Sequence, residues 1–204
     1  MFYWFVQITV WILARFYLRL KIEGHENVPK KGPFILASNH RSNLDPPIIA
    51  VSMDRKLHFL AKRELFNNEL AAKFFRGINL LKLNREGMDK QALRDALDVL
   101  KNGRGLLIFP EGTRSKDGKI GFARGGVSAF ACSSGAPVIP VFIKGTEQAM
   151  PPKKHYILPA KIIVRFGKRI EPPKAISRID RKSVYQEFTN RVMQEIAGLG
   201  KEAA

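Results

Sequence analysis

Residues 33–47 read PFILASNHRSNLDPP. Phe34-Ile35-Leu36-Ala37 follows the turn-forming Lys31-Gly32-Pro33 and is apolar at every position. A run this short and continuous, bounded by chain breakers, reads as a strand buried on both faces. Strands of that kind belong to largely parallel sheets with helices on either side. Similar runs recur at residues 57–61, 80–83, 106–109, 138–142 and 161–166.

Helical patterns fall between these runs. Residues 88–101 place Ala92, Leu93, Ala96, Leu97 and Leu100 on one side, with Gly103 as a stop. Residues 126–134 are rich in small side chains, and residues 180–198 carry Val184, Phe188, Val192 and Ile196 at four-residue spacing. Strands alternating with helices predict an α/β domain with a mixed, largely parallel central sheet, covered by helices on both faces. Residues 149–159, with Pro151-Pro152 and Lys153-Lys154, are expected to form a long surface loop.

A chain of 204 residues is one domain, or one domain with a short appendage. Hydrophobic residues make up 45% and charged residues 26%, which excludes general disorder. Cys132 is the only cysteine, which excludes a disulfide scaffold. The formal net charge is +17, with Lys and Arg at 35 against Asp and Glu at 18. The basic residues are spread along the chain, so a basic tail does not explain the excess. A surface of this sign seeks a polyanion: nucleic acid, an anionic membrane face or a phosphorylated substrate.

The first residues, MFYWFVQITVWILARFYLRLK, favour the membrane. The stretch is uncharged through Ala14 and carries Phe2, Tyr3, Trp4, Phe5 and Trp11. A helix through Ala14 reaches about 21 Å, short of the roughly 30 Å hydrocarbon core. Extending it to Leu20 brings in Arg15 and Arg19, four residues apart on one helical face. Tryptophan and tyrosine favour the headgroup level, and arginine can snorkel to it. An interfacial or shallowly inserted helix over residues 1–20 is therefore expected, with a full span as the second reading. A signal peptide fits worse, because the charges come last and no small-residue cleavage site follows. A buried core helix is the bland reading. Residues 21–204 are expected to form the main domain.

Ligands of open α/β sheets bind beyond the carboxyl ends of strands, so the residues after each strand are the candidates. Ser38-Asn39-His40-Arg41-Ser42-Asn43-Leu44-Asp45-Pro46 follows the first strand. Asp45 before Pro46 reads locally as a helix N-cap with proline at the first helical position. The same carboxylate could also face His40, holding one ring nitrogen and leaving the other as a general base. After Leu106-Leu107-Ile108-Phe109 comes Pro110-Glu111-Gly112-Thr113-Arg114-Ser115. Gly112 permits close backbone approach, Thr113 offers a hydroxyl, and Arg114 a planar fork suited to phosphate. Glu111 could orient Arg114 or a substrate hydroxyl; a polar turn with an internal Glu–Arg pair is the alternative. Arg85 follows the strand at 80–83. Two arginines and a His–Asp pair, all after strands, suit a site acting on a phosphate-bearing molecule.

No G-x-S-x-G elbow, P-loop or Cys/His cluster is present. His25, His58 and His155 read as structural or surface residues, and Cys132 as packing rather than nucleophile. A base without a protein nucleophile suits direct attack by a substrate hydroxyl.

These blocks resemble those of the 1-acyl-sn-glycerol-3-phosphate acyltransferases (lysophosphatidic acid acyltransferases). Asn39-His40, four intervening residues and Asp45 match the family's Asn-His-x4-Asp block. Phe109-Pro110-Glu111-Gly112-Thr113-Arg114-Ser115 matches its Phe-Pro-Glu-Gly-Thr-Arg-Ser block. Val138-Ile139-Pro140-Val141 matches the apolar fourth block, and Arg85 falls at the end of the second. The resemblance covers roughly residues 20–170. One position departs: Asn79 stands where the second block usually carries glycine, and asparagine tolerates a left-handed backbone better than most residues.

The resemblance implies a glycerol-phosphate acyltransferase-like fold. It also implies transfer of a fatty acyl group from acyl-CoA or acyl-carrier protein to the sn-2 hydroxyl of lysophosphatidic acid, giving phosphatidic acid for phospholipid biosynthesis. His40 would be the general base and Asp45 its orienting partner. Arg85, Arg114, Glu111 and the Gly112-Thr113 backbone would hold the glycerol phosphate. No bound cofactor or metal is implied. The expected partners are membrane lipids, an anionic bilayer surface and the acyl thioester, with no nucleic acid. The expected location is the cytoplasmic face of the cell membrane. Another lysolipid acceptor, or a non-enzymatic basic membrane-binding protein, are the rival readings.

Overall fold

The computed structural model describes residues 2–62, 77, 79–83, 90–115, 120–123, 126–151, 154, 156–174 and 180–201. Its strands are β1 (Lys21–Glu23), β2 (Phe34–Ser38), β3 (Leu57–Lys62), β4 (Leu80–Leu83), β5 (Gly105–Ile108), β6 (Val138–Lys144) and β7 (Ile163–Phe166). Its helices are α1 (Phe2–Phe16), α2 (Asp45–Val51), α3 (Lys90–Lys101), α4 (Gly126–Ser134), α5 (Thr146–Ala149) and α6 (Arg181–Lys201), with a 3-10 turn at His25–Asn27.

Among the described residues the strands form one sheet in the order β1-β7-β6-β2-β5-β3-β4. All neighbours pair in parallel except β6 and β7. The expected mixed, largely parallel sheet is therefore present, with its reversal between β6 and β7. Alternate residues of β2 enter opposite layers. Phe34 and Leu36 join a core with α2 residues Ile48 and Ile49, while Ile35 and Ala37 join a core with Ala96 and Leu100 of α3, Val127 of α4 and Val192 of α6. Burial on both sides is why this strand shows no polar alternation.

β1 escapes sequence reading because only Ile22 of its three residues is apolar. It is held by parallel pairing with β7 and by the ion pair between Glu23 and Arg165. Phe109, expected to end a strand, lies just past β5 and leaves the sheet. Asn79 has φ 64°, so it adopts the left-handed backbone expected of a residue standing in for glycine.

The N-terminal helix is shorter than expected. It ends at Phe16, and Arg19 has φ 43°, so Arg15 and Arg19 do not share a helical face. Leu18 and Leu20, past the helix, are buried in the core. α1 buries a stripe through Tyr3 and Ala14, and Gln7 Nε2 donates to the carbonyls of Ala50 (3.1 Å) and Met53 (3.0 Å). The Tyr3 hydroxyl accepts the Leu57 N–H at 3.2 Å. Its outward side leaves Phe5, Ile8, Leu13 and Phe16 exposed. No helix among the described residues is long and apolar enough to cross a membrane.

Candidate active site

β2 and β5 are adjacent and parallel, so the segments that follow them emerge at the same edge of the sheet. The segment after β2 is fixed by Asn39. Its side-chain amide donates to the Ile143 carbonyl and accepts the Ile143 N–H, both at 2.9 Å. The amide mimics one more rung of the β2–β6 ladder and ties the chain to β6 just before His40.

Asp45 is fully buried. Sequence reading offered it both as an N-cap and as the partner of His40; the capping position is in fact Leu44, without a side-chain cap bond, and Asp45 is itself the first residue of α2. Its carboxylate turns back to the preceding loop instead. Oδ2 accepts the N–H groups of Arg41 (2.6 Å) and Ser42 (2.8 Å) and lies 2.8 Å from His40 Nδ1. Oδ1 accepts the hydroxyl of Thr146, the first residue of α5. Gly145, before it, has φ 95°, and a Cβ there would lie 2.2 Å from the Lys161 carbonyl oxygen. Glycine is thus required for the turn that presents Thr146.

The Asp45 contact assigns the proton to Nδ1 and leaves Nε2 of His40 with its lone pair for another group. The imidazole stacks on Phe109, with ring centroids 3.9 Å apart and planes 17° from parallel. Phe109 therefore leaves the sheet to become one wall of the histidine. The His40 side chain keeps 18% exposure, so the ring is held but reachable.

Glu111 occupies a different place from the one sequence reading gave it. It is 6% exposed. Its carboxylate accepts the His40 N–H at 3.2 Å and the Gly121 N–H at 3.1 Å. The Ser115 N–H donates to the His40 carbonyl at 2.8 Å. These bonds bolt the segment after β5 to the segment carrying the histidine. Among the described residues, no hydrogen bond or ion pair joins Glu111 to Arg114. Gly112, Thr113 and Arg114 are exposed between these two fastenings. Arg85 and His155 lie outside the described residues.

Sequence reading missed Thr146, Glu147 and the stacking role of Phe109. Glu147 accepts from Arg41 Nη1 (2.9 Å) and from the Gly145 N–H (3.0 Å), fastening the histidine segment to the segment after β6. The available signal was Gly145-Thr146-Glu147 directly after a strand. His58 is buried on β3, away from this cluster, and burial lowers its pKa to about 4. Half-buried Cys132 lies on α4, and burial raises its pKa. Among the described residues no group of His, Cys, Asp and Glu could hold a metal ion. The arrangement offers an oriented imidazole base beside an exposed turn bearing a guanidinium.

The Acyltransferase family model matches residues 19–144. The chain is 32% identical to the chloroplastic 1-acyl-sn-glycerol-3-phosphate acyltransferase LPAT1 of Arabidopsis thaliana, over 70% of this chain and 40% of that one. It is 31% identical to the probable 1-acyl-sn-glycerol-3-phosphate acyltransferase of Mycoplasma pneumoniae, over 88% of this chain and 70% of that one. The crystal structure of the 1-acyl-sn-glycerophosphate (LPA) acyltransferase PlsC from Thermotoga maritima superposes with a TM-score of 0.74 at 31% identity, covering 96% of this chain and 79% of that one. The chain spans well under half the length of the chloroplast relatives it matches.

Proposed function

The chain belongs to the acyltransferase family, alongside the 1-acyl-sn-glycerol-3-phosphate acyltransferases, and from that premise we propose that it acylates the sn-2 hydroxyl of lysophosphatidic acid, giving phosphatidic acid. The donor is an acyl thioester, acyl-CoA or acyl-carrier protein. The observation that carries this reading is the 2.8 Å contact between His40 Nδ1 and a buried Asp45 carboxylate that is itself held from every side.

In this mechanism Nε2 of His40 takes the proton of the acceptor hydroxyl as its oxygen attacks the thioester carbonyl. The C–S bond then breaks, and the thiolate recovers a proton from the imidazolium. Asp45 fixes the ring and balances the charge that forms on it. Arg114 and Arg85 pair with the acceptor phosphate, with the Gly112-Thr113 backbone beside it. Glu111 keeps that turn in register with His40. No bound cofactor is required. The outward apolar side of α1 seats the enzyme on an anionic membrane, on the cytoplasmic face, where its lipid substrate and product reside.

Purified protein given labelled acyl-CoA or acyl-carrier protein and a panel of lysolipids tests this reading. Incorporation into lysophosphatidic acid that His40→Ala lowers by about a hundredfold or more is the expected result. Preference for a different lysolipid would reassign the acceptor, and no transfer to any lysolipid would overturn the activity.

A further inference from the structure

We propose that Tyr156, Ile157 and Leu158 form a second membrane contact, which seats the site's side of the molecule on an anionic lipid surface. The proposal rests on the membrane attachment of α1 given above, and extends it to a part of the chain 140 residues away.

The three side chains are 52%, 42% and 41% exposed, large apolar groups left about half open to solvent. They continue the outward face of the N-terminal segment: the Tyr17 hydroxyl donates to the Ile157 carbonyl at 3.2 Å, and Phe16 and Tyr17 are 77% and 46% exposed. A contiguous apolar surface of this sort marks an interaction site. Its charge chooses the partner. Residues 13–20 and 151–161 contain no Asp or Glu, and Arg15, Arg19, Lys154 and Lys161 are all exposed. Aromatic and aliphatic side chains among cations fit the headgroup level of an anionic bilayer.

The placement has a consequence for access. The Leu158 N–H donates to the Ala149 carbonyl at 2.8 Å, at the end of the short helix whose first residue holds Asp45. The Met150 carbonyl accepts the Ser42 hydroxyl at 3.3 Å, within the histidine segment. The root of the apolar segment is thus fastened to the His40–Asp45 loop. With two attachments instead of one, the enzyme's tilt on the membrane is fixed, and a lipid acceptor enters from the layer on which the segment rests.

An environment-sensitive fluorophore tests this in the full chain. It is placed in a Cys132→Ser background at Leu158→Cys, at Phe16→Cys, or at exposed Glu187→Cys on α6 across the sheet. Vesicles of phosphatidylcholine and phosphatidylglycerol in equal parts should shift emission to the blue at 158 and 16, but not at 187. A shift at 16 alone overturns the second contact and leaves α1 attachment standing; a shift at neither site overturns both. The triple variant Tyr156→Ser, Ile157→Ser, Leu158→Ser should bind these vesicles at least tenfold more weakly with an unchanged melting temperature. Unchanged binding by that folded variant would overturn the proposal. Light scattering without vesicles tests a second copy of this chain as occupant: a dimer that the triple variant dissociates would overturn the lipid assignment.

Discussion

The Thr146 hydroxyl donates to Oδ1 of Asp45 across 101 residues of sequence. This bond engages the one carboxylate oxygen that the histidine loop leaves open, because Oδ2 already serves His40, Arg41 and Ser42. Thr146→Val keeps the shape and removes the donor. An unsatisfied buried acceptor costs about 1–3 kcal/mol. If that loss falls on the oriented carboxylate, kcat should drop by roughly ten- to a hundredfold with KM unchanged, and Thr146→Ser should restore it. Steady-state kinetics of both variants, per folded molecule, check this. A Val variant that only melts earlier would make Thr146 structural alone.

His40→Ala should lower acyl transfer by about 10²–10⁴, the usual worth of a general base. The fold should survive, because the backbone N–H that Glu111 accepts and the carbonyl that Ser115 reaches are both retained. Single-turnover assays together with circular dichroism separate lost chemistry from lost structure.

Arg114 is exposed on the turn after β5, so Arg114→Ala should leave stability within about 0.5 kcal/mol. Its expected effect is a higher KM for a phosphate-bearing acceptor at nearly constant kcat, as for binding lost equally in ground and transition states. KM measured for lysophosphatidic acid and for an acceptor lacking the phosphate distinguishes the role, since the second should not change.

His58 provides a pH test outside the site. Burial lowers its pKa from 6.5 to about 4, with Arg104 and Lys56 pushing the same way and a hydrogen bond to the Gly105 backbone opposing them. The unfolded chain therefore binds the proton more readily between those values, and stability falls as pH falls from about 6.5 to about 4. The full effect is on the order of 3 kcal/mol. Urea unfolding of wild type and His58→Phe from pH 7 to pH 4 checks it. The difference in unfolding free energy between them should change with this sign, and should be flat if His58 protonates freely in the folded state.

Much of the fold was legible because its strands are buried on both faces. Continuous apolar runs such as Phe34-Ile35-Leu36-Ala37 are local signals, and so is the four-residue spacing of Val184, Phe188, Val192 and Ile196 in α6. β1 was not legible, since one apolar residue between a lysine and a glutamate has no periodicity to read. The site was legible as residue types after strands. His40 and Asp45 share a single turn, so their meeting could be anticipated from sequence, and Asn79 could be expected to take the left-handed backbone that it shows.

The sequence by itself determined the alternation of strand and helix, the basic charge and the segments at which chemistry could sit, because each depends on neighbours a few residues apart. The tertiary structure alone decided that Glu111 faces inward to the His40 backbone, that Phe109 walls the imidazole, that Thr146 holds Asp45 and that one side of α1 belongs to the core. Those contacts join residues tens to more than a hundred positions apart. Strand order in the sheet brings them together, and no local preference of the chain encodes that order.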